Sequence, residues 1–132
     1  MAEQLFRLLA EAEGLDATAS SCGTEARSGM PLSRGAEAVF AARGIGPVQH
    51  RARRVDAAAV SGADAVYVME RAHLDELILR FPESAAKIST LRSSDVADPL
   101  GSAAAVYEDC AASIEHALRT IISREKENAN PR

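Results

Sequence analysis

The sequence has 132 residues, of which 47% are hydrophobic and 26% are charged, proportions typical of one globular domain without disulfide or metal support. A formal net charge of −4 and an aromatic content of 4% argue against nucleic acid and anionic membranes as partners. Cys22 and Cys110 form no CxxC pair, and no signal peptide or apolar run of about 20 residues is present, so a cytoplasmic location is expected.

The first residues of the chain have apolar side chains at helical spacing. Leu5, Leu8 and Leu9 share one helical face, and Gly14 can end this first helix. Residues 15–21 form a short run of small residues, which we predict to be a strand.

A second helix is predicted after Ser33, which can serve as its N-cap, and Gly44 can end it. Its inward residues are Ala36, Val39 and Phe40. Further on, Asp56 is positioned to cap a short helical turn.

The second half alternates strands and helices. Residues 65–69 are apolar and β-branched, as buried parallel strands are, and residues 87–91 are a weaker strand. Between them a helix with one apolar side is limited by Pro82. The last helix is the most regular, with inward positions at Val106, Cys110, Ile114, Ala117, Leu118 and Ile121.

The alternation predicts an α/β fold in which helices cover both faces of a small parallel sheet. We expect one domain over residues 1–123 and a polar tail over residues 124–132. The opening helix is unusual, because a crossover helix normally connects two parallel strands and here no strand precedes it.

Several stretches, taken together, resemble the low-molecular-weight protein tyrosine phosphatase family. In chain order they are Met1–Phe6, Ser20–Thr24, His50–Arg53, Ala63–Glu70, and Asp98–Gly101 followed by Tyr107. The resemblance runs to about Ile122 and implies the Rossmann-like three-layer fold of that family. It also implies hydrolysis of phosphotyrosine or a related phosphomonoester through a phosphocysteine intermediate, without a metal or another cofactor.

The family's defining Cys-x5-Arg-(Ser/Thr) loop is not found in this sequence. In such a loop, backbone N–H groups surround the phosphate and lower the pKa of the attacking thiol. Cys22 is followed by Arg27 one residue too early, and Cys110 has no Arg six positions on. We therefore expect an N-terminally truncated chain without nucleophile or first strand, its start codon having been placed too far downstream.

The missing strand is central in the family's sheet, so its absence would leave neighbouring backbone groups without partners. We expect the chain as written either to be poorly stable or to pair residues 15–21 directly with residues 65–69.

The resemblance assigns roles to particular residues. Asp98 would be the general acid and base that protonates the leaving oxygen and then activates water. The phosphate loop would be supported by three residues that do not contact the phosphate themselves, namely Ser21, His50 and Glu70. Leu100 and Arg27 occupy cleft positions where relatives often have aromatic side chains, which leaves phosphoarginine open beside phosphotyrosine.

Two classes of function fit the sequence. The first is a phosphomonoesterase acting on a phosphorylated protein or small phosphomonoester, and the second is a catalytically dead relative that binds such partners. Arsenate reduction is disfavoured because it needs additional thiols in relay. Arg51, Arg53 and Arg54 form a basic cluster that is either solvated surface or a phosphate-attracting rim. The sequence does not fix the oligomeric state.

Overall fold

A computed structural model describes residues 1–24 and 29–129. In chain order the elements are α1 (Ala2–Ala12), α2 (Arg34–Ala42), α3 (Ala57–Ser61), β1 (Val66–Val68), α4 (Arg71–Arg80), a 3-10 helix (Pro82–Lys87), β2 (Ile88–Thr90) and α5 (Ala104–Ala129). The α/β fold class with a short parallel sheet is confirmed.

The chain divides into two compact units. The helical unit comprises Met1–Ser21, Ser33–Pro47 and Pro99–Arg132, and the sheet unit comprises Cys22–Leu32 and Val48–Asp98. The helical unit contains α1, α2 and α5, whereas the sheet unit contains α3, α4 and both strands.

The helical unit is built on α5, which contacts both α1 and α2. The apolar faces that these helices bury include Leu5, Ala10, Val39, Phe40, Ala111, Ile114, Leu118 and Ile122. Burial of such a face, rather than helix propensity, supplies most of the stability of helices as short as α1 and α2.

The termini of α1 and α2 follow the predicted signals. The amide of Ala36 donates to Ser33 Oγ at 3.3 Å, which confirms Ser33 as the N-cap of α2. Gly14 and Gly44 follow α1 and α2 with φ of 69° and 72°, a left-handed conformation that glycine adopts without steric cost.

The sheet unit has two parallel strands in its described residues. Val66, Tyr67 and Val68 of β1 lie opposite Ile88, Ser89 and Thr90 of β2. Its core consists of Val55, Val60, Val68, Leu77, Phe81 and Ile88, with Val66 and Leu74 packed against them. The two strands therefore contribute one buried residue each, Val68 and Ile88, to a core supplied mainly by α3, α4 and the segments next to them.

The short helix α3 is held at both ends. The amide of Ala59 donates to Asp56 Oδ1 at 2.8 Å, which confirms the predicted cap. After its last turn, Lys87 Nζ donates to the carbonyl oxygens of Ser61 at 3.0 Å and Ala63 at 2.7 Å. A five-residue helix, which would be marginal alone, is thus fixed by side chains.

The predicted strand over residues 15–21 is wrong. This segment has no strand conformation, and the nearest bridge is an isolated one between Gly23 and Arg54. Of the two alternatives expected, direct pairing of this segment with residues 65–69 is wrong as well, because the sheet of the described residues has only two strands, β1 and β2. Small residues without a ladder partner do not sustain a strand, and here a side chain, Arg7, donates to the carbonyl of Ala19 at 2.7 Å.

The polar segment that starts at Arg124 continues α5 to Ala129, and residues 130–132 lie outside the described part. The last buried residue of α5 is Ile122, so its final turns remain largely exposed. Within residues 1–24 and 29–129, no helix has the length and apolar character needed to cross a membrane.

Candidate functional site

The predicted acid, Asp98, ends a loop that leaves β2 and is attached to the end of β1. The amide of Leu91 donates to the carbonyl of Val68, and the amide of Val96 donates to the carbonyl of Met69, both at 2.8 Å. The side chain of Val96 is buried, whereas Asp98 two residues later is exposed. The loop is therefore fixed at the carboxyl edge of the sheet, where open parallel sheets bind ligands.

Glu70 lies at the same edge. It directly follows Met69, to which Val96 is hydrogen-bonded, and it is the N-cap residue of α4. Its Oε1 is 3.8 Å from Nε2 of His73, and both side chains are about one-third exposed. The fold therefore brings the backbones of two predicted site residues, Glu70 and Asp98, to one end of the strands.

His50 precedes the basic cluster in an extended segment. Its carbonyl accepts a hydrogen bond from Arg51 Nη1 at 3.1 Å, and its side chain is partly buried. In the same segment the amide of Ala52 donates to the carbonyl of Met30, and the amide of Gly29 donates to the carbonyl of Ala52, both at 2.7 Å. Both backbone polar groups of Ala52, two residues after His50, are therefore hydrogen-bonded.

The pKa of the Cys22 thiol is shifted upward, a direction that disfavours the thiolate. Partial burial raises its pKa above the ordinary value, and the nearby carboxylate of Asp56 raises the pKa further, while the charge of Arg53 opposes them and lowers it. A reactive cysteine needs the opposite shift, because only the thiolate attacks phosphorus. Cys110 is a partly buried residue on α5.

Ser21 belongs to a polar cluster at the start of α1. Its Oγ donates to Glu3 Oε1 at 3.0 Å, and Glu3 Oε2 accepts from Gln4 Nε2 at 3.0 Å. Arg7 Nη1 lies 3.5 Å from the same Glu3 oxygen, and Arg7 Nη2 donates to the carbonyl of Ala19. The cluster thus ties the segment that ends in Ser21 to the first two turns of the helix.

Sequence reasoning missed Glu3 as the partner of Ser21. The available signal was an acidic residue in the first turn of a helix, where a carboxylate also interacts favourably with the helix dipole. That signal is common, and it does not identify which distant hydroxyl the carboxylate will meet.

The two predicted cleft residues differ in what can be described. Leu100 is 70% exposed and lies in a turn that the amide of Ser102 closes on the carbonyl of Pro99 at 2.8 Å. Arg27 lies outside the described residues. The role of both at a substrate cleft stays a prediction.

The candidate residues are divided between the units. Asp98, Glu70 and His50 belong to the sheet unit, and Ser21 and Leu100 belong to the helical unit. In the described ranges, 1–24 and 29–129, no group of three or more His, Cys, Asp or Glu side chains is arranged to hold a metal ion. Asp98 is exposed, and its role as a proton donor and acceptor stays a prediction.

Comparison with known families gives one match that covers nearly the whole chain. Residues 1–130 match the family described as low molecular weight phosphotyrosine protein phosphatase.

Individual proteins agree with this match. The chain is similar to the probable low molecular weight protein-tyrosine-phosphatase EpsP of Ralstonia nicotianae, with 30% identity over 79% of this chain and 74% of the relative. It is also similar to the protein-arginine-phosphatase of Bacillus subtilis, with 27% identity over 97% of this chain and 89% of the relative. Among solved structures, a low molecular weight protein tyrosine phosphatase from T. tengcongensis is similar with a TM-score of 0.88, at 32% identity over 93% of this chain and 88% of that chain.

Proposed function

This chain belongs to the low molecular weight phosphotyrosine protein phosphatase family, and on that basis we propose that it acts in phosphomonoester hydrolysis with Asp98 as general acid and base. The observation that supports this role is the position of Asp98. It is exposed, and it ends a loop that two backbone hydrogen bonds attach to the carboxyl edge of the sheet.

The proposed reaction has two steps. A cysteine thiolate attacks phosphorus and an S–P bond forms as the bond to the leaving group breaks, which is P–O in phosphotyrosine and P–N in phosphoarginine. The carboxylic acid of Asp98 donates its proton to that leaving oxygen or nitrogen. The Asp98 carboxylate then takes a proton from water while that water attacks phosphorus, and the breaking P–S bond returns the thiolate. Phosphate is released, and no redox change occurs.

We propose that neither cysteine of this sequence supplies the thiolate. Neither begins a Cys-x5-Arg motif, and the raised pKa of Cys22 works against thiolate formation at neutral pH. The 132 residues on their own are therefore expected to lack phosphatase activity, and activity requires an N-terminal extension that carries a Cys-x5-Arg-Ser loop.

The relatives and the residue Leu100 both bear on which phosphorylated side chain is the substrate. The relatives include a probable tyrosine phosphatase and an arginine phosphatase. An exposed leucine at a position where an aromatic ring would stack on a phenyl group weakens the preference for phosphotyrosine. We propose a phosphorylated protein side chain as substrate, with phosphoarginine and phosphotyrosine both to be tested.

A second candidate is a phosphoprotein-binding relative without turnover. It is favoured by the absence of the Cys-x5-Arg motif from the sequence. In this case the chain would bind phosphopeptides, and an added loop would confer no hydrolysis.

The deciding experiment assays p-nitrophenyl phosphate and then phosphotyrosine and phosphoarginine peptides. It compares the 132-residue chain with the extended form and with the extended form carrying Asp98→Asn. Activity in the extended form alone, lowered by about 10²-fold or more in Asp98→Asn, supports the enzyme proposal. Activity in the 132-residue chain that Cys22→Ser abolishes would overturn the assignment of the nucleophile. Phosphopeptide binding with no turnover in either form would favour the second candidate.

A further inference from the structure

We infer that Asp95 is a positioning residue for Asp98, because its carboxylate fixes the loop that carries the proposed acid to the start of α4. This inference rests on the proposed function of Asp98. It concerns residues 91–98, and all the contacts that support it lie within the sheet unit.

The central contact joins two residues that are 24 positions apart in sequence. Asp95 Oδ1 accepts a hydrogen bond from the backbone amide of Arg71 at 2.9 Å, and Arg71 is the first residue of α4. The N-cap residue of α4, Glu70, makes no side-chain capping bond. Asp95 therefore satisfies one of the first-turn amides that have no acceptor within the helix itself.

The same loop is closed on itself by Arg92. Its Nε donates to the carbonyl of Ser94 at 3.0 Å, and its Nη2 donates to the carbonyl of Asp95 at 3.3 Å. The guanidinium group thus holds the backbone around Asp95 in a tight turn. In that turn the Asp95 carboxylate is presented to α4 rather than to its own backbone.

The next residue supplies the second external attachment. Val96 donates its amide to Met69 and buries its side chain, so Asp95 and Val96 together connect the loop to both sides of the junction between β1 and α4. Only Ala97 separates this double attachment from Asp98. Removing the Asp95 carboxylate takes away the bond from this turn to α4, while the backbone bond from Val96 to Met69 remains.

This arrangement has a catalytic consequence. Proton donation requires the carboxyl group to lie within hydrogen-bond reach of the leaving oxygen, and a displacement of about 1 Å can cost on the order of 10²-fold in rate. Loss of the Asp95 contact should therefore weaken the reaction in proportion to how strongly the leaving group needs a proton.

The test compares Asp95→Ala, Asp95→Asn and Asp98→Asn in the extended, loop-bearing form. The measured quantity is kcat/KM for phenyl phosphate, whose leaving group needs protonation, and for dinitrophenyl phosphate, whose leaving group does not. We expect Asp95→Ala to lower kcat/KM about tenfold for phenyl phosphate and little for dinitrophenyl phosphate. Asp95→Asn keeps an acceptor oxygen and should recover most of the loss.

Asp75→Ala is the matched control, since Asp75 Oδ1 also faces Arg71, through an exposed ion pair of 3.6 Å to Nε. It should leave both substrates unaffected. An equal loss on both substrates in Asp95→Ala would mean a structural role only and would overturn the inference. If the loss of kcat/KM in Asp98→Asn is the same for both leaving groups, the proposed function of Asp98 is wrong. If that loss depends on the leaving group in Asp98→Asn but not in Asp95→Ala, only the positioning role of Asp95 is wrong.

Amide hydrogen exchange in the 132-residue chain tests the attachment without any activity. Asp95→Ala should speed exchange at the amides of Arg71 and Val96, while Asp75→Ala should not. Unchanged protection of both amides in Asp95→Ala would overturn the inference, whatever the activity of the extended form.

Discussion

The ring of Tyr107 on α5 lies so close to Gly35 on α2 that a methyl group at Gly35 would overlap it. The same phenol donates its hydroxyl to Ser33 Oγ at 3.2 Å, and that oxygen also caps α2. The first turn of α2 therefore packs directly against one aromatic side chain of α5.

Gly35→Ala should destabilise the chain by about 1–3 kcal/mol, because the added methyl group must displace a buried ring. The control is Gly46→Ala, where a Cβ meets nothing within 4 Å, and it should change stability by no more than about 0.5 kcal/mol. Urea unfolding followed by circular dichroism measures both. Equal midpoints for the two variants would show that α2 and α5 do not approach closely at Gly35.

Lys87→Met should lower the free energy of unfolding by about 1–3 kcal/mol. The ammonium group of Lys87 donates to the carbonyl oxygens of Ser61, the last residue of α3, and of Ala63, and the substitution removes both bonds. Lys126→Met removes a surface ion pair with Glu13 at 3.2 Å and should cost no more than about 1 kcal/mol. The comparison uses thermal and urea unfolding of both variants. A larger effect at Lys126 would contradict the proposed capping of α3.

The pKa of the Cys22 thiol is raised in the folded chain, first by partial burial and then by Asp56, against the lowering effect of Arg53. Alkylation by iodoacetamide in a Cys110→Ser background should therefore reach its half-maximal rate at a higher pH in the folded than in the urea-unfolded chain. Arg53→Gln should move the folded midpoint higher still.

The sign of the accompanying stability change follows from linkage. A folded-state pKa above the unfolded value gives a contribution to stability that is present below the unfolded pKa and is lost as the pH rises through the folded pKa. A folded midpoint below the unfolded one would instead indicate an activated thiolate, and it would reopen Cys22 as a nucleophile.

Glu3 and Ser21 should be energetically coupled. The Glu3 side chain is only 13% exposed and accepts the Ser21 hydroxyl, so Glu3→Ala should cost about 1–2 kcal/mol and Ser21→Ala about 0.5–1 kcal/mol. In a double-mutant cycle the coupling should be about 0.5–1 kcal/mol. Ser21→Ala combined with Glu37→Ala, an exposed residue of α2, is the control and should be additive. If the effects are additive in both cycles, Ser21 and Glu3 are not energetically coupled, and the prediction is wrong.

The helix signals in the sequence were sufficient because they are local. Ser33 and Asp56 act within three residues of the amides that they cap, and Gly14 and Gly44 act through their own backbone dihedral angles. Such interactions are encoded by short patterns, which a single sequence displays directly.

Whether residues 15–21 form a strand cannot be decided from a local pattern. A strand exists only with a partner, and composition does not say whether a ladder is available. β1 and β2 were recoverable because their apolar, β-branched residues also build the core, whereas the small residues of the 15–21 segment contribute no fully buried side chain.

The site was only partly predictable for a related reason. The Asp-Pro loop of the family pattern indicates Asp98 as a candidate, but the attachment of that loop through Asp95 depends on an amide 24 residues away. The link from Lys87 to Ser61 spans 26 residues, and the bond between Ser21 and Glu3 spans 18. Contacts of this range are set by how the elements pack, and one sequence contains no periodic trace of them.

The two compact units are interleaved along the polypeptide, which crosses from one to the other after residues 21, 32, 47 and 98. Neither unit can be excised with a single cut, so a nick in any crossing segment should leave both halves of the backbone associated. Docking of α5 on α2 closes the intervening stretch from Val48 to Asp98 as a loop. Because that closure costs conformational entropy, we expect the last helix to dock late in folding.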